Sequence, residues 1–129
     1  MILRKYMSLL GIGAAKIDLI LQKEAYRPGD PVHGYFIIKG GTIEQQLKRI
    51  DCDLVVMDKI SGTEKVIDST TILTSTRIDS EESNKISFAF QLPDSVLAST
   101  EEITYRFKTR LTFNEGVTSR DQDLIQIIQ

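Results

Sequence analysis

Arg106, Lys108 and Arg110 put a cation at every second residue of one segment, the spacing at which extended backbone brings all three side chains to one face. Such a stripe can take a phosphate or an acidic partner, so these three are the candidate anion- or partner-binding residues. The competing reading is structural. Asp51 and Asp53 have the same spacing on another alternating segment, and if the two segments are neighbours their opposite charges pair at about 0.2–1 kcal/mol each. That pairing is the favoured reading. A second acidic pair, Asp121 and Asp123, with Asn114 and Glu115 nearby in the chain, offers the oxygen chemistry that calcium prefers, but at no EF-hand spacing. The favoured reading there is a polar turn whose aspartates accept from backbone amides, and no metal site is expected.

Catalysis would need a poised acid, base or nucleophile. His33 is the one histidine and follows Pro31-Val32 on a strand whose core face belongs to its neighbours, which makes it a solvent-facing residue. Cys52 lies on the apolar side of an alternating segment and reads as a small buried hydrophobe. One cysteine and one histidine cannot assemble a zinc site within this chain. Gly11-Ile12-Gly13 precedes a strand instead of opening a helix after one, so it is not a dinucleotide loop. The sequence therefore predicts a protein that is not an enzyme, with no catalytic residues and no cofactor. A sugar- or small-ligand-binding platform built from Tyr26, Tyr35 and Tyr105 is the alternative, weakened by the absence of tryptophan and only 7% aromatic residues.

Strands must position these groups. Tyr105 to Phe113 alternates apolar or small side chains with charged or polar ones, and the same period of two recurs in Ile17–Leu21, Ile50–Val56 and Ile86–Leu92. The first strand should run from about Ala15 to Ala25 with Ile17, Leu19 and Leu21 inward, ending at the Pro28-Gly29 corner. A second covers Val32 to Lys39, with Val32, Gly34, Phe36 and Ile38 on one face. A third covers Ile43 to Met57, long enough to need a bulge near Gln46 or Leu47. Ser61-Gly62-Thr63 turns into a fourth, Lys65 to Thr74. Residues 75–84 form a polar loop, the fifth strand spans 85–92 and stops at Pro93, and residues 94–102 make a connection with room for one helical turn. The sixth strand is the alternating one, and the last is Leu124 to Ile128. About seven one-sided strands predict an all-β, immunoglobulin-like antiparallel sandwich.

With 129 residues the chain is one domain, and a domain of this size buries roughly two thirds of its unfolded surface without needing a disulfide. Sixteen basic and eighteen acidic residues are mixed along it for a net charge of −2, which argues against nucleic acid as a partner. The apolar runs between Met1 and Leu10 are too short to span a membrane, and a signal peptide is a poor fit. A short N-terminal helix packing Leu3, Met7 and Leu10 is expected there, with a peripheral membrane contact through Ile2, Leu3, Arg4, Lys5 and Tyr6 as the weaker reading. A cytoplasmic location follows.

Gly11-Ile12-Gly13-Ala14-Ala15-Lys16-Ile17-Asp18, then Tyr26-Arg27-Pro28-Gly29-Asp30 with Gly34 after it, resemble segments of the sporulation-control (SpoOM) protein family of the arrestin-like clan. Ile38-Lys39-Gly40-Gly41-Thr42-Ile43-Glu44-Gln45 and Phe88-Ala89-Phe90-Gln91-Leu92-Pro93 continue the resemblance, and Ser119-Arg120-Asp121-Gln122-Asp123 is similar to the acidic turn before that domain's last strand. The resemblance implies an arrestin-like sandwich and a non-catalytic regulator or scaffold in sporulation and related stress or cell-cycle signalling, working through protein–protein interaction. Members usually carry a second, similar sandwich, so residues 1–129 are either an N-terminal domain or a natural short form. The expected partners are proteins, a second copy among them, met through loops or an open strand edge.

Overall fold

The structure, a computed structural model, describes residues 14–116 and 118–129. Among them, nine strands follow in chain order: β1 (Lys16–Leu21), β2 (Ala25–Tyr26), β3 (Pro31–Lys39), β4 (Gln45–Asp58), β5 (Thr63–Leu73), β6 (Arg77–Ile78), β7 (Ser83–Gln91), β8 (Ile103–Phe113) and β9 (Thr118–Ile127). They form two sheets, one of three strands in the order β1-β3-β7 and one of six in the order β2-β9-β8-β4-β5 with β6 beside β4. Every pairing among these strands is antiparallel except that of β2 with β9.

Alternation decides which face each strand buries. In β8 the odd positions Tyr105, Phe107, Thr109, Leu111 and Phe113 are buried and the even ones are half-buried. In β3 and β7, Val32, Phe36, Ile38, Phe88 and Phe90 are buried in the same way. Side chains from both sheets belong to one core. Its centre is aromatic: Phe107 of β8 meets Phe88 and Phe90 of β7 edge-on at 5.4 and 5.2 Å between ring centroids, and Phe36 meets Phe88 at 5.2 Å. Edge-to-face pairs of this kind contribute about 0.5–1.5 kcal/mol each beyond the area they bury.

Two glycines have specific work. Gly29 takes φ +81° in the corner after Pro28, closed by the Asp30 amide donating to the Arg27 carbonyl at 3.0 Å. Gly34 sits where β1 crosses closely, and a Cβ there would lie 2.1 Å from the Ile20 carbonyl oxygen.

The fold departs from the sequence reading in five places. The first strand does not continue to Ala25: β1 stops at Leu21, and Ala25–Tyr26 changes sheets to lie along β9. The polar loop at 75–84 contains β6, whose Ile78 is fully buried and whose backbone meets Gln45 and Gln46 of β4. The connection 94–102 has no helical turn; it is tied down by buried Val96 and by the Tyr105 hydroxyl donating to the Leu97 carbonyl at 2.8 Å. The last strand begins at Thr118, six residues before Leu124, because its ladder with β8 runs from Thr112↔Thr118 to Tyr105↔Ile125 although carboxylates occupy its inward positions. The strand count among the described residues is nine, since two strands have only two residues. The expected bulge in β4 falls between Leu47 and Arg49 against β8, and a second register shift lies between Leu54 and Val55 against β5. No helix occurs among the described residues, and the helix expected through Leu3, Met7 and Leu10 lies outside them.

Candidate functional site

Arg106, Lys108 and Arg110 stand on the outer face of the six-stranded sheet, directly opposite Val55, Asp53 and Asp51 of β4. The Asp51 carboxylate is the hub of this face. It takes Arg49 at 2.9 Å and Arg110 at 3.3 Å, and accepts from the Thr71 hydroxyl of β5 at 2.8 Å. Burial alone would raise the Asp51 pKa, but the hydrogen bonds from Thr71 and Arg110 and the charges of Arg49 and Arg110 outweigh it and hold the carboxyl below its ordinary value. Lys108 reaches past Asp53 to Glu64 at 2.7 Å, while Asp53 accepts from the Ser69 hydroxyl at 2.7 Å. Arg106 donates to the Gln122 side chain at 3.1 Å. Of the three cations, then, Arg110 pairs with its register partner, Lys108 reaches across β4 to β5, and Arg106, whose cross-strand neighbours Val55 and Leu124 offer no side-chain acceptor, reaches diagonally to Gln122 of β9. Arg120 of β9 stands directly opposite Arg110 and is exposed.

The second constellation is acidic. Asp121 and Asp123 are strand residues, not a capping turn, and share the inward side of β9 with buried Ile125 and Ile127. Asn114 and Glu115 lie in the β8–β9 turn beyond the Thr112↔Thr118 pair, away from Asp121 and Asp123, which face Thr109 and Phe107. Asp18 of β1 joins the two aspartates instead, and one carboxylate oxygen from each of the three lies within 4.8 Å of the others. That spacing is compatible with either a cation or a shared proton. The Asp123 carboxyl is pushed up to about 7, first by burial and then by its hydrogen bond with Asp121 and the charges of Asp121 and Asp18. Asp18 is raised by burial and then by Asp121. The sequence reading missed Asp18; its position between Ile17 and Leu19 marked it as outward-facing but could not say that β9 lies there.

The remaining candidates fall elsewhere. His33 is exposed on β3, and Cys52 is buried in the core with its thiol pushed up to about 12, chiefly by burial. Tyr26 and Tyr105 are core residues at 2% and 3% exposure, so they cannot form a stacking platform with Tyr35; their hydroxyls meet the Lys23 amide and the Leu97 carbonyl instead. Tyr35 carries the Lys85 ammonium 4.5 Å from its ring centroid. No helix among the described residues is long and apolar enough to cross a membrane.

Comparison with known proteins places this arrangement. The SpoOM protein family model matches residues 3–129. The chain is 33% identical over 128 residues to the sporulation-control protein spo0M of Bacillus subtilis (strain 168), covering 95% of this chain and 50% of that protein. The crystal structure of Spo0M from Bacillus subtilis superposes with a TM-score of 0.81 at 31% identity, over 92% of this chain and 51% of that one. The chain thus spans about half the length of these relatives. At the level of fold alone it is similar to a cycloisomaltooligosaccharide glucanotransferase of Paenibacillus sp., with a TM-score of 0.57 at 11% identity over 87% of this chain and 14% of that one. It is likewise similar in fold to a superoxide reductase (neelaredoxin) from Ignicoccus hospitalis, with a TM-score of 0.51 at 7% identity over 90% and 82% of the two chains. The match across nearly all of its residues, in sequence and in strand arrangement together, means that this chain belongs to the SpoOM protein family.

Proposed function

We propose that these residues form an arrestin-like, immunoglobulin-like sandwich domain of a cytoplasmic, non-catalytic regulator that takes part in sporulation control by binding other proteins. The observation that carries the reading is the 33% identity to a sporulation-control protein along 95% of the chain. The sheets support the mode of action. β5 and β7 end their sheets, and among the described residues neither has a strand on its outer side. β5 exposes Val66 and Leu73 along that edge, at 51% and 78%. Unpaired backbone donors and acceptors beside exposed apolar side chains favour strand addition by a partner. Recognition is assigned to these edges and not to Arg106, Lys108 and Arg110, because an acidic partner on that stripe would have to displace Glu64, Asp51 and Gln122 from them.

The test is site-specific photo-crosslinking in cells entering sporulation, with the probe at Val66 on β5, at Ser87 on β7, or at exposed Glu101 as a control. A defined adduct from an edge position and none from Glu101 supports the proposal. Adducts from neither edge, with the protein folded and present, overturn it. The same edges can add a second copy, and light scattering that finds only monomer at high concentration removes the homodimer.

A further inference from the structure

Three carboxylates meet where the edge of one sheet touches the other. β1 is an edge strand of the three-stranded sheet, and the Leu19 amide donates to Asp121 Oδ2 of β9 at 3.0 Å. A side chain of one sheet thus completes the free backbone edge of the other. Asp18 and Asp123 flank that bond, and one carboxylate oxygen from each of the three lies within 4.8 Å of the others, where a proton held on one of them relieves the repulsion among the rest. We propose that Asp18, Asp121 and Asp123 form a proton-held latch, in which a shared proton keeps β1 docked on β9 and its loss to solvent loosens that seam.

The surroundings leave the proton as the means of relief. Among the described residues no ion pair involves any of the three aspartates. Toward the cluster β8 presents Thr109 and Phe107, and Cys52 of β4 lies behind Thr109 with its thiol held neutral by burial. The cations of β8, Arg106, Lys108 and Arg110, project to the opposite face with Arg120 of β9 and are engaged there apart from Arg120. Lys16 of β1 shares Asp18's outer face but lies opposite Lys39, while Ile37 stands opposite Asp18, and Lys85 of β7 is held over the Tyr35 ring. Three carboxylates at this separation cannot all ionise without mutual repulsion, and Asp123 Oδ2 is buried with no hydrogen-bond partner. Burial first, and then the neighbouring carboxylates, raise the pKa values of Asp123 and Asp18.

The direction is fixed by linkage. A carboxyl raised to about 7 in the folded chain stabilises it fully below the ordinary carboxylate range, and that contribution is lost as pH rises through about 7. The experiment is NMR hydrogen exchange at the Leu19 amide of the full chain between about pH 5 and pH 8, corrected for intrinsic exchange, with the Asp123 carboxyl carbon followed in parallel. The expected result is a fall in Leu19 protection of about tenfold or more, coincident with the Asp123 titration and absent in Asp123→Asn. Asp18→Asn, which removes one like charge, should move both midpoints to lower pH and decides the matter should Asp123→Asn not fold. Protection that stays flat in the wild type, or that falls identically in both variants, overturns the latch.

Discussion

Arg110 and Asp51, 59 residues apart in the chain, meet at 3.3 Å across the β8–β4 pair, and Asp51 is simultaneously held by Arg49 and Thr71. Because three groups converge on one half-buried carboxylate, its removal leaves two guanidiniums side by side without their anion. Asp51→Ala should cost about 1–2 kcal/mol in urea unfolding, and a double-mutant cycle with Arg110→Ala should give a coupling of about 0.2–1 kcal/mol. The Asp51 carboxyl lies below its ordinary value when folded, so this stabilisation is present above the ordinary carboxylate range and is lost as pH falls through the folded value. A coupling of zero at neutral pH would mean that the pair is incidental.

Phe107 is fully buried and touches rings of β7 from its position on β8, so it joins the two sheets at the middle of the core. Phe107→Ala removes both edge-to-face contacts and leaves a cavity; it should cost about 3–5 kcal/mol, whereas Phe107→Leu should lose less than half of that. Thermal denaturation of the two variants checks the order. Equal losses would place the ring outside the packed centre.

The sequence made the outer stripe legible because period-two alternation settles faces without any knowledge of partners: Lys108 and Arg110 opposite Asp53 and Asp51, with Arg106 on the same face, needed only the assumption that two strands pair. Which cation bonds which acid was not legible, since Lys108 chooses Glu64 on β5, a strand whose own residues show no clean alternation. The acidic cluster was half legible for a related reason. Asp121 and Asp123 interrupt the apolar pattern of β9 and so resemble a turn, and their third member lies across a contact of 102 residues' separation that no local pattern encodes. Buried Gln45 illustrates the same limit: its side-chain oxygen accepts from the Ala15 amide at 3.0 Å, a bond that makes a polar residue part of the core.

At Gly34 the constraint is steric. The Ile20 carbonyl of β1 occupies the place a Cβ would take, 2.1 Å away, so Gly34→Ala must push two hydrogen-bonded strands apart. A loss of about 1–3 kcal/mol is expected, with increased amide exchange along β1. An alanine accommodated without change in melting temperature would show that β1 can shift freely at this point.

Tyr105 carries a hydrogen bond that its aromatic ring does not require. Its hydroxyl donates to the Leu97 carbonyl at 2.8 Å and so fastens the connection between Pro93 and Ile103 to the body of the domain. Tyr105→Phe should keep the fold, cost about 0.5–1.5 kcal/mol, and speed proteolysis within residues 94–102 more than elsewhere. Unchanged cleavage in that segment would mean that Val96, not the hydroxyl, holds it.

Cys52 gives the sharpest readout of core integrity. Its thiol is buried among apolar groups, donated to by the Thr109 hydroxyl at 3.5 Å, and pushed up to about 12 from an ordinary 9.0. That difference corresponds to about a thousandfold smaller thiolate fraction, and the thiolate is the species that reacts. In native buffer the chain should therefore modify with a disulfide reagent at least about a thousandfold more slowly than in denaturant, where the thiol regains its ordinary value and full access. Because modification must await opening of the core around Cys52, the logarithm of its rate in Phe107→Ala should rise in proportion to that variant's loss of stability. Fast native modification would place Cys52 at an accessible surface and contradict the packing of β4 against β8.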